Sequence, residues 1–206
     1  MLERFRGAWA AMLTPVARLL LRIGVSPDVV TLVGTAGVVL TALICLPAGW
    51  LWQGALLITF FVISDSIDGQ MAKLSDRESR WGAFLDSSLD RVGDGAVLAG
   101  VALHLAISGE MIMWSGVAMW ALVAGQLTSY VKARAESLGY LAGGGLAARA
   151  DRMLLILLGV LLAGFGVPFA IEAAVAILAI ASTFTVVQRM IKVRRQAADE
   201  DHVNPA

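Results

Sequence analysis

The sequence predicts an all-α integral membrane bundle of six transmembrane helices, with an N-terminal amphipathic helix at the membrane interface. Apolar residues make up 58% of the 206-residue chain and charged residues only 16%, whereas a soluble domain runs nearer half and a quarter. Three long stretches are almost free of charge: residues 29–64 hold none, 95–131 hold only Glu110, and 153–188 hold only Glu172. Each is long enough, with its flanks, for two spans of ~20 residues. Each is broken near its middle by Gly, Pro or Ser, at 46–49, 108–110 and 164–168, where such residues punctuate turns.

The resulting spans are 27–47, 51–74, 82–107, 111–137, 150–165 and 168–192. Orientation follows from the 16 basic residues. They fall in four clusters, Arg4 to Arg22, Lys73 to Arg91, Lys132 to Arg152 and Arg189 to Arg195, and none lies at a hairpin tip. The positive-inside rule puts all four clusters, and with them both termini, on the cytoplasmic side of the cell membrane. Residues 1–24 carry Leu2, Phe5, Trp9, Met12, Leu13, Val16, Leu19 and Leu20 at helical spacing among arginines. This is the pattern of a helix lying in the interface or of an ordinary amphipathic packing helix. No small-residue cleavage site follows it, so it does not read as a signal peptide. Residues 25–195 form the helical domain, and the polar tail 196–206 has no periodicity and reads as disordered. Cys45 stands alone and the two histidines, His104 and His202, are far apart. An intrachain disulfide, a thiolate cluster and a histidine metal site are thereby excluded. The expected partners are membrane lipids and small molecules, not nucleic acid.

The chemistry concentrates in residues 65–90. Asp65 and Asp68 are spaced i,i+3 at the end of the second span, and Asp86 and Asp90 are spaced i,i+4 at the start of the third. On helices each pair shares a face, and the short connection lets the two faces meet. Ionisable groups within membrane spans are costly and functional by default. Four carboxylates together need cations, and hard oxygen donors suit Mg²⁺ or Mn²⁺. Two such ions would neutralise the four charges and clamp a phosphoryl centre. The competing structural explanation is that the aspartates cap helices or pair with Arg77, Arg80 and Arg91. A divalent-cation transporter is a further alternative. It would need acidic residues along a path across the membrane, whereas here the outer halves of the spans are nearly uncharged.

Asp65, Asp68, Gly69, Ala72, Gly82, Asp86 and Asp90 match, in type and spacing, the pattern D-x2-D-G-x2-A-R-x8-G-x3-D-x3-D. The constellation therefore resembles the CDP-alcohol phosphotransferase family, and the likeness extends to the six-span layout. The one departure is Lys73, which keeps the charge of the pattern's Arg but loses its bidentate fork. The resemblance implies a metal-dependent transfer of the phosphatidyl group of CDP-diacylglycerol to an acceptor hydroxyl. Asp65, Asp68 and Asp86 would hold one metal and Asp65, Asp86 and Asp90 the second, with Asp90 also the general base. Gly69 would allow close approach of the nucleotide, and Lys73 and Ser79 would contact the donor. Ser26-Pro27-Asp28 reads locally as a helix start, with Ser26 as N-cap and Pro27 at the first helical position. The same stretch is similar to the family's Pro-Asn-x-x-Thr segment, which would put Asp28, Val29, Val30 and Thr31 in the nucleotide pocket.

The acceptor is read from the third and fourth basic clusters. Residues 129–136 (SYVKARAE) and 149–152 (RADR) resemble the actinobacterial phosphatidylinositol phosphate synthases of that family, whose acceptor is inositol 1-phosphate. On that resemblance Lys132, Arg152 and Arg189 would hold the acceptor phosphate, with Arg134 in reserve. The alternative acceptor is glycerol 3-phosphate, as in the phosphatidylglycerophosphate synthases. The resemblance also implies a homodimer. Gly95, Ala99 and Gly100 in the third span would permit close helix contact, between copies or within one chain.

Overall fold

The computed structural model describes the backbone of residues 2–75, 79–108, 112–145 and 149–203, and the side chains of these except 2–11, 65 and 200–203. Among the described residues seven helices follow one another: α1 (Leu2–Arg22), α2 (Pro27–Cys45), α3 (Leu51–Leu74), α4 (Arg80–Ser108), α5 (Ile112–Ser137), α6 (Arg149–Gly164) and α7 (Ala170–Val203). There is no strand among the described residues. The six segments predicted as spans are helical, as α2–α7. The largest difference is at the C-terminus, where α7 runs on to Val203. Residues 196–203 are therefore helical where the sequence predicts a disordered tail.

The helix ends obey local chemistry. Ser26 takes an extended conformation and its Oγ accepts from the Val29 N–H at 3.4 Å, with Pro27 opening α2. That satisfies one of the N–H groups orphaned at a helix start. Helix α1 stops at Gly24 (φ 83°), where Val25 N–H donates to Leu20 O at 3.0 Å and Gly24 N–H to Leu21 O at 3.1 Å. This is the Schellman pairing, which needs a left-handed residue that glycine supplies without strain. Gly166 ends α6 in the same way.

Four helices are long and apolar enough to cross a membrane: Pro27–Cys45, Leu51–Leu74, Arg80–Ser108 and Ala170–Asp199. Their outward faces carry large apolar side chains, among them Leu40 and Ile44 on α2 and Leu57 and Phe60 on α3. Water would penalise such surfaces, and lipid does not. The other two helices fall short for different reasons. Helix α6 has 16 residues, about 24 Å at 1.5 Å per residue, against a hydrocarbon core of about 30 Å. Helix α5 is long enough but carries Gln126, Thr128 and Ser129. Helix α1 packs on α3. It buries Leu13 and Ala17 while exposing Met12, Val16 and Leu19 on another face, an amphipathic division.

Packing rests on small residues. A Cβ on Gly100 would lie 2.3 Å from Ala42 O, bringing α4 against the backbone of α2, and one on Gly159 would lie 2.6 Å from Ala174 Cβ between α6 and α7. Without a hydrophobic drive between helices in lipid, such close van der Waals contact is the main source of cohesion. A Cβ on Gly95 would meet Gln126 Nε2 at 3.0 Å. Gly95 and Gly100 thus serve contacts inside the chain.

Gly100→Ala is expected to lower stability by about 1–3 kcal/mol, because the added methyl overpacks a fixed backbone contact. Gly116, around which an added Cβ meets nothing within 4 Å, provides the control: Gly116→Ala should be neutral or stabilising by up to ~1 kcal/mol. Thermal unfolding of both variants in detergent checks the pair, and equal melting temperatures would contradict the packing account.

Candidate active site

The end of α3, the start of α2 and the start of α4 enclose a cavity of 460 Å³. Asp28 and Thr31 reach it from α2, Asp68, Gly69 and Lys73 from α3, Ser79 from the segment before α4, and Asp86 from α4. Asp68 is 7% exposed and accepts a hydrogen bond from Thr31 Oγ1. A buried carboxylate is thus oriented by a hydroxyl on the neighbouring helix. An added Cβ on Gly69 would meet nothing within 4 Å, so the glycine leaves that wall open to a ligand. Ser79 Oγ accepts from Gly82 N–H at 2.9 Å, capping the start of α4 while bordering the cavity.

Two of the residues expected here are absent from the wall. Val29 is 47% exposed, and neither it nor Val30 lines the cavity. The reason is helical geometry: from Asp28, only positions three and four residues on share its face, which selects Thr31. Asp65 lies on α3 one turn before Asp68, and its side chain lies outside the described residues. Arg77, considered as a pairing partner for the aspartates, also lies outside them. Among the described side chains no three acidic, histidine or cysteine residues lie close enough to hold a metal. Asp68 and Asp86 share the cavity, whereas Asp90 turns elsewhere.

Asp90 faces α6. Its Oδ1 is 2.7 Å from Arg149 Nη2 and its Oδ2 is 3.9 Å from Arg91 Nη2. Both arginines belong to a second cavity of 780 Å³, lined also by Thr128, Ser129, Lys132, Arg152 and Arg189. Five cations from four helices thus face one space, an arrangement suited to a phosphate because Arg and Lys bind it through charge-assisted hydrogen bonds. The polar residues of α5 hold the arginines in place. Thr128 Oγ1 accepts from Arg152 Nη1 at 3.2 Å, Ser129 Oγ accepts from Arg91 Nη1, and Thr128 O accepts from Arg189 Nη1. Arg189 also donates to Gly144 O from Nε at 3.1 Å and from Nη2 at 2.9 Å, which ties the glycine-rich loop to α7. Lys132 has Glu136 at 3.7 Å. Arg134 does not join this wall. It is exposed and donates to Ser137 Oγ at 3.3 Å, because it lies two residues from Lys132 and so on another face of α5.

Sequence reasoning passed over Arg91, Arg149, Thr128 and Ser129 as members of the wall. The i,i+3 spacing of Arg149 and Arg152 was the available signal, since it puts both on one face of α6. A third feature left no trace in the sequence. A 640 Å³ groove runs between α3 and α6, walled by apolar residues such as Leu56, Val62, Leu157 and Leu161, with Ser66 and Arg149 among its lining. Ser66 also borders the first cavity, and Arg149 the second.

The chain is similar to known proteins in sequence and in fold. Residues 24–187 match the family model described as CDP-alcohol phosphatidyltransferase. The chain is 50% identical over 203 residues to the phosphatidylinositol phosphate synthase of Cutibacterium acnes, covering 95% of this chain and 98% of that one. It is 45% identical over 214 residues to the synthase of the same name from Streptomyces avermitilis, covering 100% of this chain and 88% of that one. Among solved structures, the Mycobacterium tuberculosis phosphatidylinositol phosphate synthase with CDP-DAG bound superposes with a TM-score of 0.86 at 39% identity, covering 89% of this chain and 94% of that one. The same enzyme in complex with manganese and citrate gives a TM-score of 0.85 at 40% identity, covering 88% of each chain. With this match over most of its length and with its carboxylates, cation wall and apolar groove at one end of the bundle, the chain belongs to the CDP-alcohol phosphatidyltransferase family and is an enzyme of that family.

Proposed function

We propose that the protein transfers the phosphatidyl group of CDP-diacylglycerol to inositol 1-phosphate, releasing CMP. The observation that carries the acceptor assignment is the cavity lined by Arg91, Lys132, Arg149, Arg152 and Arg189. Five cations on one wall would meet the phosphate of an acceptor through charge-assisted hydrogen bonds. The names of the relatives, with identities reaching 50%, support inositol phosphate over glycerol 3-phosphate.

The donor assignment rests on the first cavity and the groove together. Asp28, Lys73 and Ser79 would contact the nucleotide and its phosphates, and the open wall at Gly69 admits it. The α3–α6 groove, sharing Ser66 with that cavity, would take an acyl chain. An all-carboxylate donor set suits Mg²⁺ or Mn²⁺. Asp65, Asp68, Asp86 and Asp90 would hold two such ions, which when bound neutralise the carboxylates and polarise the diphosphate. In the transfer itself the acceptor hydroxyl attacks the β-phosphorus of the donor. Asp90 takes the hydroxyl proton, the β-phosphorus–oxygen bond to CMP breaks, and CMP leaves.

The membrane arrangement follows the same reading. Six helices, α2–α7, cross the cell membrane with both termini and the site on the cytoplasmic side, as the basic clusters require. The shorter α6 and the polar α5 line the site, where a full apolar span is not needed. The active form is a homodimer, an assignment that rests on family resemblance.

Three measurements test this reading. Protein supplied with CDP-diacylglycerol and Mn²⁺ should release CMP with inositol 1-phosphate. Release with glycerol 3-phosphate alone would overturn the acceptor. Asp90→Asn should abolish turnover while the donor still binds, and retained turnover would remove Asp90 as the base. Thr31→Val deletes the hydroxyl that orients Asp68, so the Mn²⁺ concentration for half-maximal activity should rise about 10–100-fold, the usual cost of losing an outer-shell partner. An unchanged Mn²⁺ dependence would show that Thr31 does not serve the metal.

A further inference from the structure

Asp94 lies one turn beyond Asp90 on α4 and outside the spacing pattern of the four aspartates. It nevertheless has three arginines within ion-pair distance. Arg149 Nε lies 3.1 Å from its Oδ1, while Arg152 Nη2 at 3.6 Å and Arg91 Nη1 at 3.7 Å approach its Oδ2. Through Nη2 the same Arg149 reaches Asp90, so one guanidinium bridges two carboxylates a helical turn apart.

All three arginines line the 780 Å³ cavity, and Asp94 does not. Its side chain is 15% exposed and stands behind the wall. A carboxylate on the wall itself would repel an incoming phosphate. Placed behind, it offsets the mutual repulsion of three guanidiniums and constrains each of them, while all three side chains still line the cavity. A bidentate guanidinium is oriented as well as attracted by its carboxylate.

We propose that Asp94 is a positioning residue for the acceptor: it holds Arg91, Arg149 and Arg152 in the arrangement that receives a phosphate, and keeps Arg149 on Asp90. This inference rests on the reading of that cavity as the site of a phosphorylated acceptor.

The test uses the full chain in detergent–lipid micelles with CDP-diacylglycerol and Mn²⁺, following CMP release. Asp94→Asn should raise the KM for inositol 1-phosphate by about tenfold or more, with the KM for the donor changed by less than about twofold. The inhibition constant of inorganic phosphate competing with the acceptor should rise in parallel. Asp94→Glu, which keeps the charge on a longer arm, should raise the acceptor KM by only about threefold. If Asp94→Asn does not fold, the same split measured on Asp94→Glu decides. An acceptor KM and phosphate inhibition within about twofold of wild type, or an equal rise in both KM values, overturns the proposal. Wild-type protein that shows no turnover on inositol 1-phosphate overturns the acceptor reading itself and this inference with it. Wild-type turnover with an unaffected Asp94→Asn overturns this inference alone.

Discussion

The structure depends on an exchange of charge between α4 and α6. Asp90 and Asp94 face Arg149 and Arg152 across that gap. Helix α4 packs mainly on α2 and α5, and α6 on α3 and α7, so these ion pairs are the principal tie between the two. Charges taken out of water need partners with good geometry, and removing one partner leaves the other buried at a cost of several kcal/mol. The pairing therefore both permits charged side chains at the end of an apolar bundle and fixes the spacing of the two helices that carry them.

Around that tie the site divides by substrate chemistry. A carboxylate-lined cavity lies between α2, α3 and α4, and an apolar groove runs between α3 and α6. A cationic cavity gathers residues from α4 to α7. The groove shares Ser66 with the first cavity and Arg149 with the second, so on the proposed function a lipid tail, a nucleotide diphosphate and a phosphate would each meet a surface of matching polarity. Arg149 borders the groove, pairs with the proposed base and belongs to the phosphate wall. It stands where the two reacting molecules would meet.

This geometry is held by packing remote from the chemistry. Gly100 brings α4 against the backbone of α2, and Gly159 brings α6 against α7. Each contact removes a side chain's thickness between helices, in a medium where close approach supplies the cohesion. The contact between Thr31 and Asp68 needs α2 and α3 equally close, since a short hydroxyl cannot reach across a wider gap.

The sequence by itself determined the helical class and, except at the end of α7, the helix limits to within a few residues, and it singled out the carboxylates on which the proposed chemistry rests. Charge and apolar runs set what can lie in lipid, and i,i+3 or i,i+4 spacing sets which side chains share a face. The resemblance to a known family pointed to Lys132, Arg152 and Arg189, which the fold brings to the lining of one cavity. Only the tertiary structure decided the rest. Val29 and Arg134 drop out because their helices turn those faces away, and α7 continues into a polar tail that shows no apolar periodicity to announce a helix. Arg91, Arg149 and Asp94 enter because α4, α5 and α6 converge. Asp90 leaves the cavity of Asp68 and Asp86 for the same reason: spacing along one helix puts them on adjacent turns, but the partner helix decides which way each carboxylate turns.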